Sequence, residues 1–188
     1  MRVVDSKHQL GVAIVRVAVG IIFLWAGLEK VLGAGAEGWS AVGFLGHATG
    51  GSLGWPFVAA GTEGPFNPTV DFWVGLSENA TAMSIINILV PWGQIGIGVS
   101  LILGLLTRFG TAMGTLMMLF FFVAAWDFEF GIVNQHLTYA FVTFLLGYLG
   151  AGNYYGLDAT IGNNFGPALR RWLFSGERLE PVGATATA

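Results

Sequence analysis

His136 and Tyr139, in the stretch NQHLTYAFV, are the side chains best equipped for proton chemistry. Histidine titrates near neutral pH and can serve as acid or base. Tyr139 shares its helical face, and Thr143 and Gly147 continue the stripe. A second group sits in FLWAGLEKVLG (residues 23–33), where Glu29 and Lys30 end an apolar run. Gln94 is the third feature, an amide deep in an apolar segment, which must pair with another span or with a bound molecule's carbonyl. Asn134 borders His136, and Trp25 and Trp92 occur near the same level. The candidate site residues are therefore His136, Tyr139, Trp25, Gln94, Trp92, Lys30, Glu29 and Asn134.

Other chemistries are poorly supported. Cysteine is absent, which removes thiolate nucleophiles, iron–sulfur clusters, disulfides and haem attachment through Cys-x-x-Cys-His. The three histidines are widely separated and have no metal-ligand spacing. No Ser-His-Asp arrangement, phosphate loop or dinucleotide fingerprint occurs, and no basic patch suits nucleic acid.

Lipid must position these residues. The chain has 188 residues, 54% hydrophobic and 10% charged, with a mean hydropathy of +0.69. A soluble domain carries about 25% charged residues. Four apolar segments, at 10–32, 82–106, 109–126 and 132–150, are long enough for helices crossing a core of about 30 Å. Pro91 predicts a kink or tilt in the second. The turns LLTRFG and DFEFG are short and force antiparallel neighbours. The expected fold is an all-α integral membrane protein, an antiparallel four-helix transmembrane bundle forming one domain over residues 1–175. Residues 176–188 read as a flexible tail. The AGA at 34–36 mimics a signal cleavage site, but the preceding run is too long and holds Arg16, so it is expected to stay.

Arg2, Lys7, Arg108, Arg170, Arg171 and Arg178 fall on one side of this topology. The positive-inside bias puts both termini in the cytoplasm of a multi-pass cell-membrane protein. Between the first two spans runs a long outer loop of about fifty residues, rich in glycine and expected to lie over the outer mouth. Its Trp39, Trp55 and Trp73 suit the headgroup zone. In NPTVDFWVGL, Asn67 is expected to cap a short helix with Pro68 at its first position.

On the first span Arg16, Gly20, Gly27 and Lys30 share one stripe, with Glu29 about 100° away. Arg16 is only about 9 Å from its helix end, within snorkelling reach of the inner headgroups. Gly96, Ser100 and Gly104 form a small-residue packing face on the second span. Glu29, Lys30, Asn134 and His136 then lie at one depth near the outer mouth, with Asp127 and Glu129 at the same end. Such residues also make an ordinary membrane-interface belt. Belt and site both remain open at this point.

The strings RVAVGIIFLWAGLEKV, GIGVSLILGLLTRFG and NQHLTYAFV, followed by GAGNYYGLDA, resemble the DoxX/DoxD family of small four-span membrane proteins. WSAVGFLGHATGG in the outer loop is similar to its longer-loop members. The resemblance runs in order over most of residues 11–160. It implies a membrane redox role, DoxD being similar to the membrane subunit of thiosulfate:quinone oxidoreductase. His136 and Tyr139 would then be donors to a quinone carbonyl, Trp25 or Trp92 would flank the ring, and Lys30 would attract an anion. The family's second helix often begins with an acid, and Gln94 is read in that place, which weakens a proton-carrying role there. The chain itself has no evident electron carrier, so a partner redox subunit or direct transfer is required. Two other functions fit the same features: a non-catalytic membrane scaffold docking a soluble redox enzyme, and a small-solute conduit.

Overall fold

The computed structural model describes residues 6–33, 38–48, 67, 69–125 and 133–175. Every regular element among them is a helix. The first, α1 (Ser6–Leu28), continues into one π-helical turn, Glu29–Gly33. Then come α2 (Ala41–Ala48), α3 (Val70–Glu78), α4 (Ala80–Leu103) and α5 (Thr107–Ala124). After α6 (Gln135–Tyr148) the chain forms the short α7 (Asp158–Ile161) and α8 (Pro167–Leu173).

Three helical stretches are long and apolar enough to cross a membrane: Ser6–Gly33, Ala80–Leu103 and Thr107–Ala124. These fall on the first three expected spans. The fourth expected span coincides with α6, which has 14 residues and measures about 21 Å. The outward faces are apolar: Ile14, Ile21, Ile88, Phe120 and Phe144 are all exposed. Such a surface would aggregate in water and is at home in hydrocarbon. Helix α4 runs through Pro91 without interruption.

Small residues set how closely α1 and α4 approach. A methyl built on Gly98 would lie 2.7 Å from the Leu24 Cα, and one on Gly27 would lie 2.8 Å from the Ile95 nitrogen. Gly20 meets Ile102 in the same way, so α1 and α4 run in opposite directions. The α1 glycine stripe thus does what its spacing predicts. On α4 the reading needs correction. Gly98 forms the seam, whereas nothing lies within 4 Å of a Cβ on Gly96, and Ser100 instead faces Gly110 of α5. Gly98→Val is expected to cost about 1–3 kcal/mol through overpacking. Gly96→Ala should cost almost nothing. Unfolding titrations in mixed micelles compare the two.

Between α5 and α6 the contacts are hydroxyl-rich. Thr111 and Thr143 are fully buried, and Thr115 and Thr143 share a hydrogen bond of 3.0 Å. The α4–α5 turn uses Gly104 at φ +63° as a left-handed helix cap. Beneath this turn the segment after α6 folds back. Leu157 N and Asp158 N donate to the carbonyls of Leu103 and Gly104. The Asp158 carboxylate accepts from Thr107 N at the start of α5 and from Ser175 N and Oγ.

Arg16 is fixed by the same segment. It is only 1% exposed and donates to the carbonyls of Ala151 at 2.6 Å, Tyr154 at 2.8 Å and Tyr155 at 3.2 Å. Snorkelling to the headgroups is therefore corrected: the guanidinium turns inward, because three carbonyls of the irregular segment after α6 converge on it and the Asp158 charge is close by. Arginine's planar fork suits several carbonyls at once.

At the opposite end α2 and α3 pack on α4 and α5 through Ala41, Leu45, Trp73, Met83 and Ala124. Part of the expected outer loop is thus helical. Trp73 is buried, with its indole N–H bonded to Thr69, rather than placed for a headgroup zone. Helix α3 begins at Val70, later than expected. Asn67 is buried instead: it accepts from Thr69 N and donates to the Val123 and Ala124 carbonyls. Pro68, Trp55 and the tail 176–188 lie outside the described residues.

Candidate functional site

A cavity of about 1040 Å³ opens between α1, α4, α5 and α6, beneath α2 and α3. Its wall is mainly aliphatic and aromatic, and six polar side chains reach it: Lys30, Gln94, Ser100, Gln135, His136 and Tyr139. Each is delivered by simple helical geometry. His136 and Tyr139 are one turn apart on α6. Lys30 comes from the π-helical turn at the end of α1, a local widening often found at functional sites.

The His136 ring is held edge-on by two phenylalanines, Phe44 of α2 at 6.2 Å and Phe121 of α5 at 5.7 Å between centroids. Lys30 Nζ donates to the Ala26 carbonyl at 3.0 Å and stands 5.6 Å from the centre of the Trp39 ring. Both contacts stabilise a cation away from bulk water. Gln94 is 4% exposed, and its Oε1 is buried without a protein partner. A buried amide oxygen in that state costs stability unless something donates to it.

The structure thus brings Lys30, Gln94, His136 and Tyr139 onto one cavity. The other sequence candidates are elsewhere. Trp25 is 71% and Trp92 59% exposed, so neither flanks a ligand in this space. The reason is angular: each lies two residues, about 200°, from an inward residue, Phe23 or Gln94. Asn134 is committed as the cap of α6, its Oδ1 accepting from Leu137 N at 3.1 Å. Glu29 is exposed and does not line the cavity. Asp127, Glu129 and Trp126 lie outside the described residues.

A family model described as DoxX matches residues 11–127. The chain belongs to the DoxX family. No curated protein and no solved structure matches it. In this DoxX chain the matched stretch contains Arg16, Lys30 and Gln94, whereas His136 and Tyr139 lie beyond it.

Sequence reasoning missed Trp39, just before α2, and Phe44 of α2, which close over Lys30 and His136. Their signal is the aromatic spacing in GWSAVGFLG, a glycine-containing stretch whose composition equally suits a loop. It also missed Ser100 as a wall residue and the link from Arg16 to the GAGNYYGLD segment. Among the described residues no cluster of three metal-ligating side chains occurs.

Proposed function

We propose that this DoxX family member is a four-span protein of the cytoplasmic membrane and a subunit of a membrane redox system. In this system a quinone is reduced at the expense of thiosulfate or a related small reductant. Helix α6 is the fourth and shortest crossing, accommodated by local thinning of the bilayer. Lys7, Arg108, Arg170 and Arg171 all belong to the α4–α5 turn end, which supports placing that end and both termini in the cytoplasm.

The observation that carries the reading is the convergence of Gln94, His136 and Tyr139 on one apolar cavity inside a membrane bundle. Its volume is at the upper end of the range for small-molecule sites, about 300–1000 Å³. The unpartnered Gln94 oxygen adds a polar anchor in an otherwise apolar wall. These features fit a lipid-soluble ring bearing oxygen substituents. A quinone, when bound, takes up two electrons and two protons. His136 can hydrogen-bond a ligand carbonyl and pass a proton to it, and its orientation is already set by Phe44 and Phe121. Tyr139 offers the neighbouring hydroxyl, and Gln94 orients the ligand through its amide. Lys30 draws an anionic reductant toward the cavity end. Electrons arrive by direct transfer or from a partner subunit.

The test is a purified preparation, alone and with any co-purifying partner, given thiosulfate and a short-chain quinone analogue. Quinone-dependent loss of thiosulfate is expected. Binding is measured separately by quenching of tryptophan fluorescence with the same analogue. Gln94→Leu is expected to weaken that binding about tenfold, the usual scale for losing one buried polar contact. Neither binding nor turnover in any preparation would overturn the reading.

A further inference from the structure

A second cavity, of about 490 Å³, lies between α1 and α6 at the α4–α5 turn end. Its floor is apolar: Val12 and Val15 from α1 face Val142 and Leu145 from α6 and Leu149 just after it. Lys7 and His8 close its outer end, and both are exposed. Gly11 borders the groove, and nothing lies within 4 Å of a Cβ built on it. The groove is thus a strip of hydrocarbon-lined space that terminates at two nitrogen bases. It is separate from the large cavity, sharing no wall residue with it.

We propose that this groove is a binding site for an anionic phospholipid, one acyl chain lying between α1 and α6 and the phosphate against Lys7 and His8. Charge selects this occupant. Besides the buried Arg16 and the groove's His8, the basic side chains described at this end are Lys7, Arg108, Arg170 and Arg171, and its one described acid, Asp158, is buried and accepts from Thr107 and Ser175. The short α8 packs on α5 at this same end, with Leu169 and Trp172 exposed beside its arginines. Exposed tryptophan next to bases is the composition of a headgroup layer. A basic side chain near an anionic headgroup raises the affinity several-fold. A zwitterionic lipid meets the same acyl groove without that gain. The inference stands independently of the redox reading.

The test uses the full-length chain in a mild detergent, titrated with palmitoyl-oleoyl phosphatidylglycerol or with phosphatidylcholine of the same chains. Bound lipid is counted by native mass spectrometry. Phosphatidylglycerol is expected to be retained about fivefold over phosphatidylcholine. Lys7→Gln, an exposed change that leaves the helix intact, is expected to remove most of that preference. Gly11→Phe puts a ring into the groove and is expected to reduce retention of both lipids without altering helix content. Equal retention of the two lipids by the unaltered chain would overturn the proposal. So would a Gly11→Phe protein that binds phosphatidylglycerol unchanged, or one that instead dissociates a dimer, since a second copy would then fill the groove.

Discussion

Arg16→Leu is expected to destabilise the folded bundle by about 3–5 kcal/mol, the scale for removing one partner from a buried charged network. Three carbonyls, at Ala151, Tyr154 and Tyr155, lose the guanidinium that ties them together, although Ala151 keeps the Tyr154 N–H. The Asp158 carboxylate loses the nearby positive charge as well. That carboxylate organises the start of α5 and Ser175, so the damage should spread through the segment that closes the α4–α5 turn. Arg16→Lys should recover only part of the loss, because an ammonium is a compact charge and cannot span three acceptors in a fork. Unfolding in mixed micelles gives the free energies, and limited proteolysis reports whether residues 151–175 open first. If Arg16→Leu costs less than about 1 kcal/mol, as an exposed pair would, its role as the clamp on this segment is wrong. Asp158→Asn combined with Arg16→Leu should cost less than the sum of the two, since both changes act on one network.

His136→Gln is expected to lower quinone-linked turnover about 10²- to 10⁴-fold, the usual contribution of a positioned acid–base group. Glutamine keeps a polar side chain between Phe44 and Phe121 but cannot carry a proton at neutral pH. Binding of the quinone analogue should therefore fall far less than turnover, a separation that merely disturbed packing would not produce. Tyr139→Phe serves as comparison: it removes one hydroxyl from the same wall and should reduce turnover by a smaller factor. Equal turnover in His136→Gln and the unaltered protein would remove His136 from the chemistry. It would leave the cavity as a binding space whose proton source lies elsewhere.

Much of the architecture was legible in the sequence because lipid imposes simple rules. Long apolar runs have to be helices, since every backbone polar group must be satisfied within the segment. That placed α1, α4, α5 and α6 to within a few residues. Glycine spacing on α1 predicted its close seam for the same reason of period. Gln94, His136 and Tyr139 stood out because polar groups are costly at membrane depth. The two tryptophans misled because their depth was legible and their direction was not used. Trp25 and Trp92 are at the right level and on the wrong side.

By itself, then, the sequence determined the solvent of this protein, the rough bounds of its long apolar helices, and which side chains would be expensive to bury. These follow from composition and from a period of 3.6 residues, both local properties of the chain. Only the tertiary structure decided that Lys30, Gln94, His136 and Tyr139 share one cavity, that Asn134 is a cap, and that Arg16 is clamped by carbonyls some 135 positions away. Depth along a helix can be counted from residue numbers. Rotation about its axis relative to the neighbours is set by packing, where Gly98 rather than Gly96 admits α1, and packing depends on every helix at once.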